Sequence, residues 1–459
     1  MATTSRAEPD QRQVQRRTVV LLGSAQLLSA IGTGATVSIG SLLAVDLTGS
    51  ESWAGSVATM MTLAAALAAL PLASLAERRG RRVSLATGLA AALAGALLIV
   101  ASVVSGIFVF LAVGAAGVGV GTAANLQARF AAVDLADPAH RGRSLSAVVW
   151  AITIGAVAGP NLIQPGAVVG QALGLPPIAG PFVISAAGLL LATALLIVGL
   201  RPDPLLFARR LAAAEAAAGQ PAAAGQPARL GSSLSRGLRA VRHAPAAILA
   251  LAAVVGAHAV MVGVMSMTPL HLQALVAGPG AHGSHTAGSA ALVIIGFTIS
   301  LHIAGMFALS PVLGWLTDKM GRLQTIALGL CTIVSAVLVA GYGQSSAGTV
   351  AVGLVLLGLG WSAATIAGST LLAESVDQQD RVVVQGVSDM LMGAAGAAGG
   401  AVSGLVLSWA GYLGLNLAGG VLGAAVLAAA VFVLVTGRLQ PAAGGQPVRS
   451  VGRGGSAPD

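Results

Sequence analysis

Leu75-Ala76-Glu77-Arg78-Arg79-Gly80-Arg81-Arg82 returns in shortened form as Leu316-Thr317-Asp318-Lys319-Met320-Gly321-Arg322. Leucine, acid, base, glycine and arginine keep one offset of 241 residues between the copies. Each copy is a short, base-rich break between two long apolar stretches. A repeat at about half the chain length reads as a duplicated unit.

The composition names the solvent. Of 459 residues, 56% are hydrophobic and only 8% are charged, whereas a soluble domain carries about 25% charged residues. Apolar stretches of about 20 residues, enough to cross a bilayer, recur along the chain. The lipid bilayer is therefore the expected partner. A net charge of +9 and a pI near 11.3 invite a nucleic-acid reading. It is excluded, because the bases flank apolar stretches and aromatics, at 3%, are too few to stack on bases. The single cysteine, Cys331, forbids an intramolecular disulfide. The first apolar run, 18–46, is too long for a signal-peptide core and reads as an uncleaved helix.

Hydropathy and charge breaks predict an all-α protein with twelve crossings. The first six lie at 18–46, 53–76, 83–104, 106–129, 143–163 and 179–200. The second six lie at 245–273, 289–316, 322–342, 347–372, 382–409 and 411–436. Five segments follow: a tail (1–17), a six-helix bundle (18–200), a linker (201–244), a second bundle (245–438) and a second tail (439–459). The linker, with seven Arg against Asp203 and Glu215, cannot bury a core and is predicted partly helical at 204–218. Both tails are expected to be disordered. All 24 Lys and Arg fall in the termini or in even-numbered breaks, and the odd-numbered loops hold none. The positive-inside rule then puts both termini in the cytoplasm. Trp53, Tyr342, Trp409 and Tyr412 are expected at the outer interface and Trp315 at the inner one.

The paired runs resemble the signature loop of the major facilitator superfamily, Gly-x-Leu-Ala-Asp-Arg-x-Gly-Arg-Arg. The second copy keeps the leading glycine (Gly314) and the aspartate (Asp318), whereas the first has Ala73 and Glu77 there. The resemblance covers about 18–436. It implies two pseudo-symmetric six-helix bundles that transport a solute through the plasma membrane. It also implies a gating latch, carried onto Glu77, Arg78, Gly80 and Arg81 and onto Asp318, Lys319, Gly321 and Arg322. On helix 5, Gly155-x-x-x-Gly159-Pro160 resembles part of a drug:proton antiporter motif, with close helix packing as the alternative.

Polar groups inside a membrane are costly, so they are candidates for function. Asp389, two turns into the eleventh span, is a candidate carrier of a coupling proton. Glu374 and Arg129 read as interface charges, and Asp46 as an outer-mouth residue. On the seventh span His258, Met261 and Met265 share one face, with Met267 and His271 beyond them; on the eighth His302 and Met306 lie one turn apart. Thioether and imidazole suit Cu(I), and His282 and His285 in the intervening loop are placed to collect metal. Met-x-x-x-Met followed by His-x-x-x-Met also resembles bacterial copper importers of the superfamily that serve cytochrome oxidase assembly. That likeness implies Met261, Met265, His302 and Met306 as ligands of Cu(I) as substrate. The alternative is a proton-coupled exporter of drugs or other small organic molecules, with methionines forming an adaptable pocket.

Other classes fit less well. An ATP-driven pump would need Gly-x-x-x-x-Gly-Lys-Ser/Thr, but the one lysine, Lys319, lies elsewhere. An enzyme would need a catalytic constellation that is missing. A monomeric carrier without a cofactor is the expectation.

Overall fold

The computed structural model describes residues 10–49, 53, 56–161, 163–219, 230–277 and 289–436. Among these residues the chain is helical with no strand. A first group comprises α1 (Gln11–Thr48), α2 (Ser56–Arg79), α3 (Arg81–Ser105), α4 (Phe108–Ala131), α5 (Arg141–Asn161), α6 (Ile163–Ala172) and α7 (Gly180–Gly199). Two further helices follow, α8 (Pro204–Gly219) and α9 (Leu230–His243). The second group is α10 (Pro245–Ala277), α11 (Ser289–Phe307), α12 (Ser310–Met320), α13 (Arg322–Tyr342), α14 (Ala347–Glu374) and α15 (Gln378–Thr436).

Helices prevail because lipid cannot satisfy backbone amides, and only intrahelical bonds do so along a single span. Nine helices among the described residues are long and apolar enough to cross a membrane. The longest, α15, covers the predicted stretches 382–409 and 411–436, with non-helical backbone at Gly411 (φ 66°). The predicted stretch 289–316 is broken between α11 and α12. Pro311 lacks the N–H that would bond Phe307, and Ser310 Oγ donates to the freed Phe307 carbonyl instead (2.7 Å).

Each group has its own interior. Leu22, Leu89, Ala124 and Leu196 centre the first, and Val260, Leu330, Trp361 and Ala430 the second. Because lipid tails are as apolar as leucine, close van der Waals fit holds these helices together. Gly88 and Gly329, again 241 apart, show how. A methyl on Gly329 of α13 would stand 2.7 Å from the Ala364 nitrogen of α14, and one on Gly88 of α3 would overlap Ala124 of α4. Leu67, Val198, Val421 and Val435, each at least 67% exposed, belong to the outer apolar surface.

Contacts between the groups gather toward the base-rich end, where α2 packs on α15 and α5 on α12. Three apolar clusters there mix both groups: Val133, Leu145 and Val149 with Ile366 and Ala373; Ala73 and Ala76 with Val382; Leu70 with Val383 and Val387. Ala66 of α2 also lies against Gly393 of α15, about midway along α2.

Some expectations change. Helix α1 begins at Gln11 inside the predicted N-terminal tail, and Val14 is buried against Leu135, Phe207 and Ala208. Residues 1–9 and 437–459 lie outside the described residues. The predicted helix at 204–218 is α8, but the linker also holds α9, whose Val241 is buried against Ala247, Ala250 and Leu372. Trp53, Tyr342 and Trp409 are exposed, as interface rings should be. Tyr412 is not. The turn at Gly411 carries it inward, where its ring stacks on His271 at 4.0 Å and its hydroxyl lies 3.0 Å from Thr268 Oγ1.

Candidate functional site

The two motif glycines explain their own recurrence. Gly80 (φ 88°) opens α3 and Gly321 (φ 108°) opens α13, in a backbone region that side chains with a Cβ resist. The turn places the next arginine at the inner side of the break. Arg81 is buried, with Nε 2.8 Å from Asp134 Oδ2 and Nη2 3.2 Å from Oδ1. The same Nη2 donates to Gln385 Oε1 of α15 (2.6 Å), crossing the seam between the groups.

Arg322 repeats the arrangement. Its Nε and Nη2 lie 3.1 and 3.0 Å from the Glu374 carboxylate, and Nη2 also donates to the Pro138 carbonyl across the seam. Such bidentate pairs are the strongest of ordinary ionic hydrogen bonds. Asp134 and Glu374 are 240 residues apart, so the acid partner is duplicated along with the arginine. The sequence reading passed over Asp134 and treated Glu374 as an interface charge. The spacing was the available signal.

The motif acids have diverged. Asp318 accepts from the Gly142 and Arg143 amides at the start of α5 (2.9 and 3.0 Å). It thus caps a helix of the opposite group, where the dipole favours a carboxylate. Glu77 instead pairs with Arg236 of α9, and Arg236 Nε stands 3.1 Å from Asp380 in the first turn of α15. The link between groups is kept but routed through the linker helix. Beside Gly80, Asp203 Oδ2 accepts from the Arg82 amide (2.7 Å). Lys319 lies over the Trp315 ring (4.6 Å), and Arg78 is exposed.

Deeper in the seam, Arg129 Nη2 of α4 meets Asp389 Oδ1 of α15 at 2.6 Å, with side chains 3% and 0% exposed. Arg129 is therefore not an interface charge; it is half of a buried ion pair between the groups. Asp389 Oδ2 and Arg129 Nε have no hydrogen-bond partner among the described residues. A carboxylate and a guanidinium taken this far from water are held by each other.

The sulfur and imidazole candidates divide. Met261 is buried in the second group's core, and Met265 and Met306 pack against the same cluster. His302 is fully buried, with Nδ1 2.7 Å from the Leu354 carbonyl of α14. A carbonyl only accepts, so Nδ1 carries the proton and Nε2 presents a bare lone pair, which has no hydrogen-bond partner among the described residues. His258 faces elsewhere, accepting from Trp361 Nε1–H at 3.1 Å and lying against Gly396 of α15. His271 is held by Tyr412 and the Gln344 carbonyl (2.8 Å). Among the described residues no trio of His, Cys, Asp and Glu gathers to hold a metal ion. Asp46 is exposed, and His282 and His285 lie outside the described residues. Gly155 admits α1, since a methyl there would stand 2.8 Å from the Ile31 nitrogen. That fits close packing, while the surroundings of Gly159 and Pro160 lie outside the described set.

An apolar belt, two groups of helices and a seam closed by paired charges at one end define a membrane transporter. The profile of the Major Facilitator Superfamily matches residues 22–296 and 283–453, and the chain belongs to that family. It is 35% identical over 417 residues to the uncharacterized MFS-type transporter YdeG of Bacillus subtilis (strain 168), covering 90% of each chain. It is 26% identical over 402 residues to the riboflavin transporter RfnT of Brucella anthropi, covering 87% of this chain and 92% of that one. Among solved structures, FucP in its outward conformation superposes with a TM-score of 0.64 at 18% identity, covering 90% of this chain and 98% of that chain. The human organic anion transporter MFSD10 superposes with a TM-score of 0.64 at 17% identity, covering 92% of this chain and 100% of that chain.

Proposed function

We propose that the chain is a secondary active carrier of the plasma membrane that works by alternating access, with twelve crossings and both termini cytoplasmic. The observation that carries this reading is the seam. Two equivalent arginine latches and the Arg129–Asp389 pair join the groups near the base-rich end, which is the cytoplasmic end by the positive-inside rule. The structure then corresponds to an outward-facing state. Inward opening separates Arg81 from Gln385, Arg322 from Pro138 and Asp318 from α5. Asp389 is the proposed coupling group. A proton on its carboxylate cancels the charge that holds Arg129 and loosens the seam.

Removing Asp318 by Asp318→Ala takes away a helix cap worth about 1 kcal/mol, a roughly fivefold shift between states. Glu77→Ala acts in the same direction through Arg236. Both variants are expected to slow turnover in proteoliposomes several-fold while leaving cargo affinity nearly intact. Wild-type turnover in both would remove the latch role.

For the cargo we propose Cu(I), taken up between α10 and α11. His302 supports it: Nδ1 is fixed by a carbonyl and Nε2 is left bare, the arrangement that prepares an imidazole for a metal. Met261, Met265 and Met306 supply soft sulfur around one cluster. A small organic solute is the second reading, favoured by the similarity to a riboflavin transporter. Uptake of radioactive copper by cells expressing wild type, Met265→Ala and His302→Ala decides between them. Both variants should accumulate about tenfold less, since each ligand contributes an interaction of at least about 1.4 kcal/mol. Equal accumulation in all three would sink the copper assignment and leave riboflavin as the next cargo to assay.

A further inference from the structure

At the base-rich end lies an open cavity of about 880 Å³, away from the Met and His cluster. The first turns of α1, the loop between α4 and α5, helix α8 and the start of α15 line it. Arg12, Arg16, Arg141 and Arg381 bring positive charge, against Asp134 and Asp137. The acids are already engaged. Asp134 holds Arg81, and Asp137 accepts from the Ala139 amide (2.9 Å). Arg141 is matched by Glu374 at 3.3 Å. Among the described residues Arg12 and Arg16 form no ion pair, and the buried Arg381 Nε has no hydrogen-bond partner.

Arg12 and Arg16 face the cavity without a paired acid, and Arg381 is partly withdrawn from water and repelled by Arg141 and Arg81 against the attraction of Asp134 and Glu374. Bringing such charges together is favourable when an anion is shared among them, and planar guanidinium forks match phosphate oxygens in pairs. The geometry points to a binding site for a phosphate-bearing anion, held by Arg12 and Arg16 of the first group and Arg381 of the second. The site does not include the Met and His cluster and does not depend on which cargo is carried. A soluble phosphate and the headgroup of an acidic lipid share the required chemistry, since basic pockets at the cytoplasmic side of helix bundles suit both.

The test uses the full chain in nanodiscs of neutral phosphatidylcholine, titrated with inorganic pyrophosphate and followed by thermal unfolding. A parallel arm replaces part of the lipid by phosphatidylglycerol and counts retained lipid by native mass spectrometry. Pyrophosphate is expected to raise the unfolding temperature, less so as salt increases. Arg16→Gln/Arg381→Gln should weaken binding at least about tenfold, as two charge-assisted contacts vanish. Arg79→Gln, an exposed base outside the cavity, should not. If the double variant does not fold, Arg16→Gln and the charge-keeping Arg381→Lys are compared, the first expected to lose more. Binding of pyrophosphate alone identifies a soluble ligand, and binding of phosphatidylglycerol alone identifies a headgroup. Binding that is equal in wild type and variants, or absent in both arms, overturns the site.

Discussion

Asp389→Asn should destabilise the protein by about 3–5 kcal/mol, because it leaves the Arg129 guanidinium buried without its counter-charge. Arg129→Gln should cost a similar amount by stranding the carboxylate. The double variant Arg129→Gln/Asp389→Asn should recover most of that loss, since two neutral amides remain and no charge is left buried without a partner. Transport should separate from stability. With no carboxylate to protonate, the double variant is expected to lose gradient-driven uptake while keeping exchange of cargo across the liposome membrane. Thermal unfolding in detergent reads the first effect, and paired uptake and exchange assays read the second. Full gradient-driven uptake by a stable double variant would reduce the pair to a structural tie and end its role in coupling.

Gly314→Val should block closure of the base-rich end. A methyl at Gly314 would lie 2.6 Å from the Gly142 carbonyl oxygen of α5 and would overlap Ser146, so the side chain has nowhere to go while the seam is shut. Overpacking of this kind costs about 1–3 kcal/mol, a shift of roughly 5- to 150-fold away from the closed seam. Turnover should fall at least tenfold, by about 1.4 kcal/mol or more. Spin labels at Arg79→Cys and Gln379→Cys, in a Cys331→Ser background, straddle the seam and should move apart in Gly314→Val. An unchanged distance distribution would show that α5 and α12 can yield, and the close approach would lose its importance.

The long apolar helices, nine of them fit to cross a membrane among the described residues, were legible because hydropathy is a direct statement about solvent. The motif glycines were legible because a positive φ leaves few alternatives to glycine. Asp134 stayed hidden because the partner of Arg81 sits 53 residues away at the end of another helix. The Arg129–Asp389 pair, 260 residues apart, joins the two groups and left no local pattern. Helix α9 was masked by its composition. Its Arg residues lowered the average hydropathy, although Leu234 and Val241, two turns apart, face the seam and the second group's core. Tyr412 was misplaced because a hydropathy break resembles an interface, whereas one glycine turn can redirect the ring.

The two seams use the same small-residue fit from opposite sides. In one, Gly314 of α12 meets Gly142 and Ser146 of α5. In the other, the partner of Ala73 on α2 is Gly386 of α15, where an added methyl would overlap Ala73. The missing methyl has moved to the facing helix. A homodimer assembled from two copies of the first group would press the Ala73 methyl into the space that Gly314 leaves open for α5. A homodimer of the second would set Gly314 against Gly386 and leave a gap. Since the duplication, the halves have become complementary strangers, and neither can any longer stand in for the other.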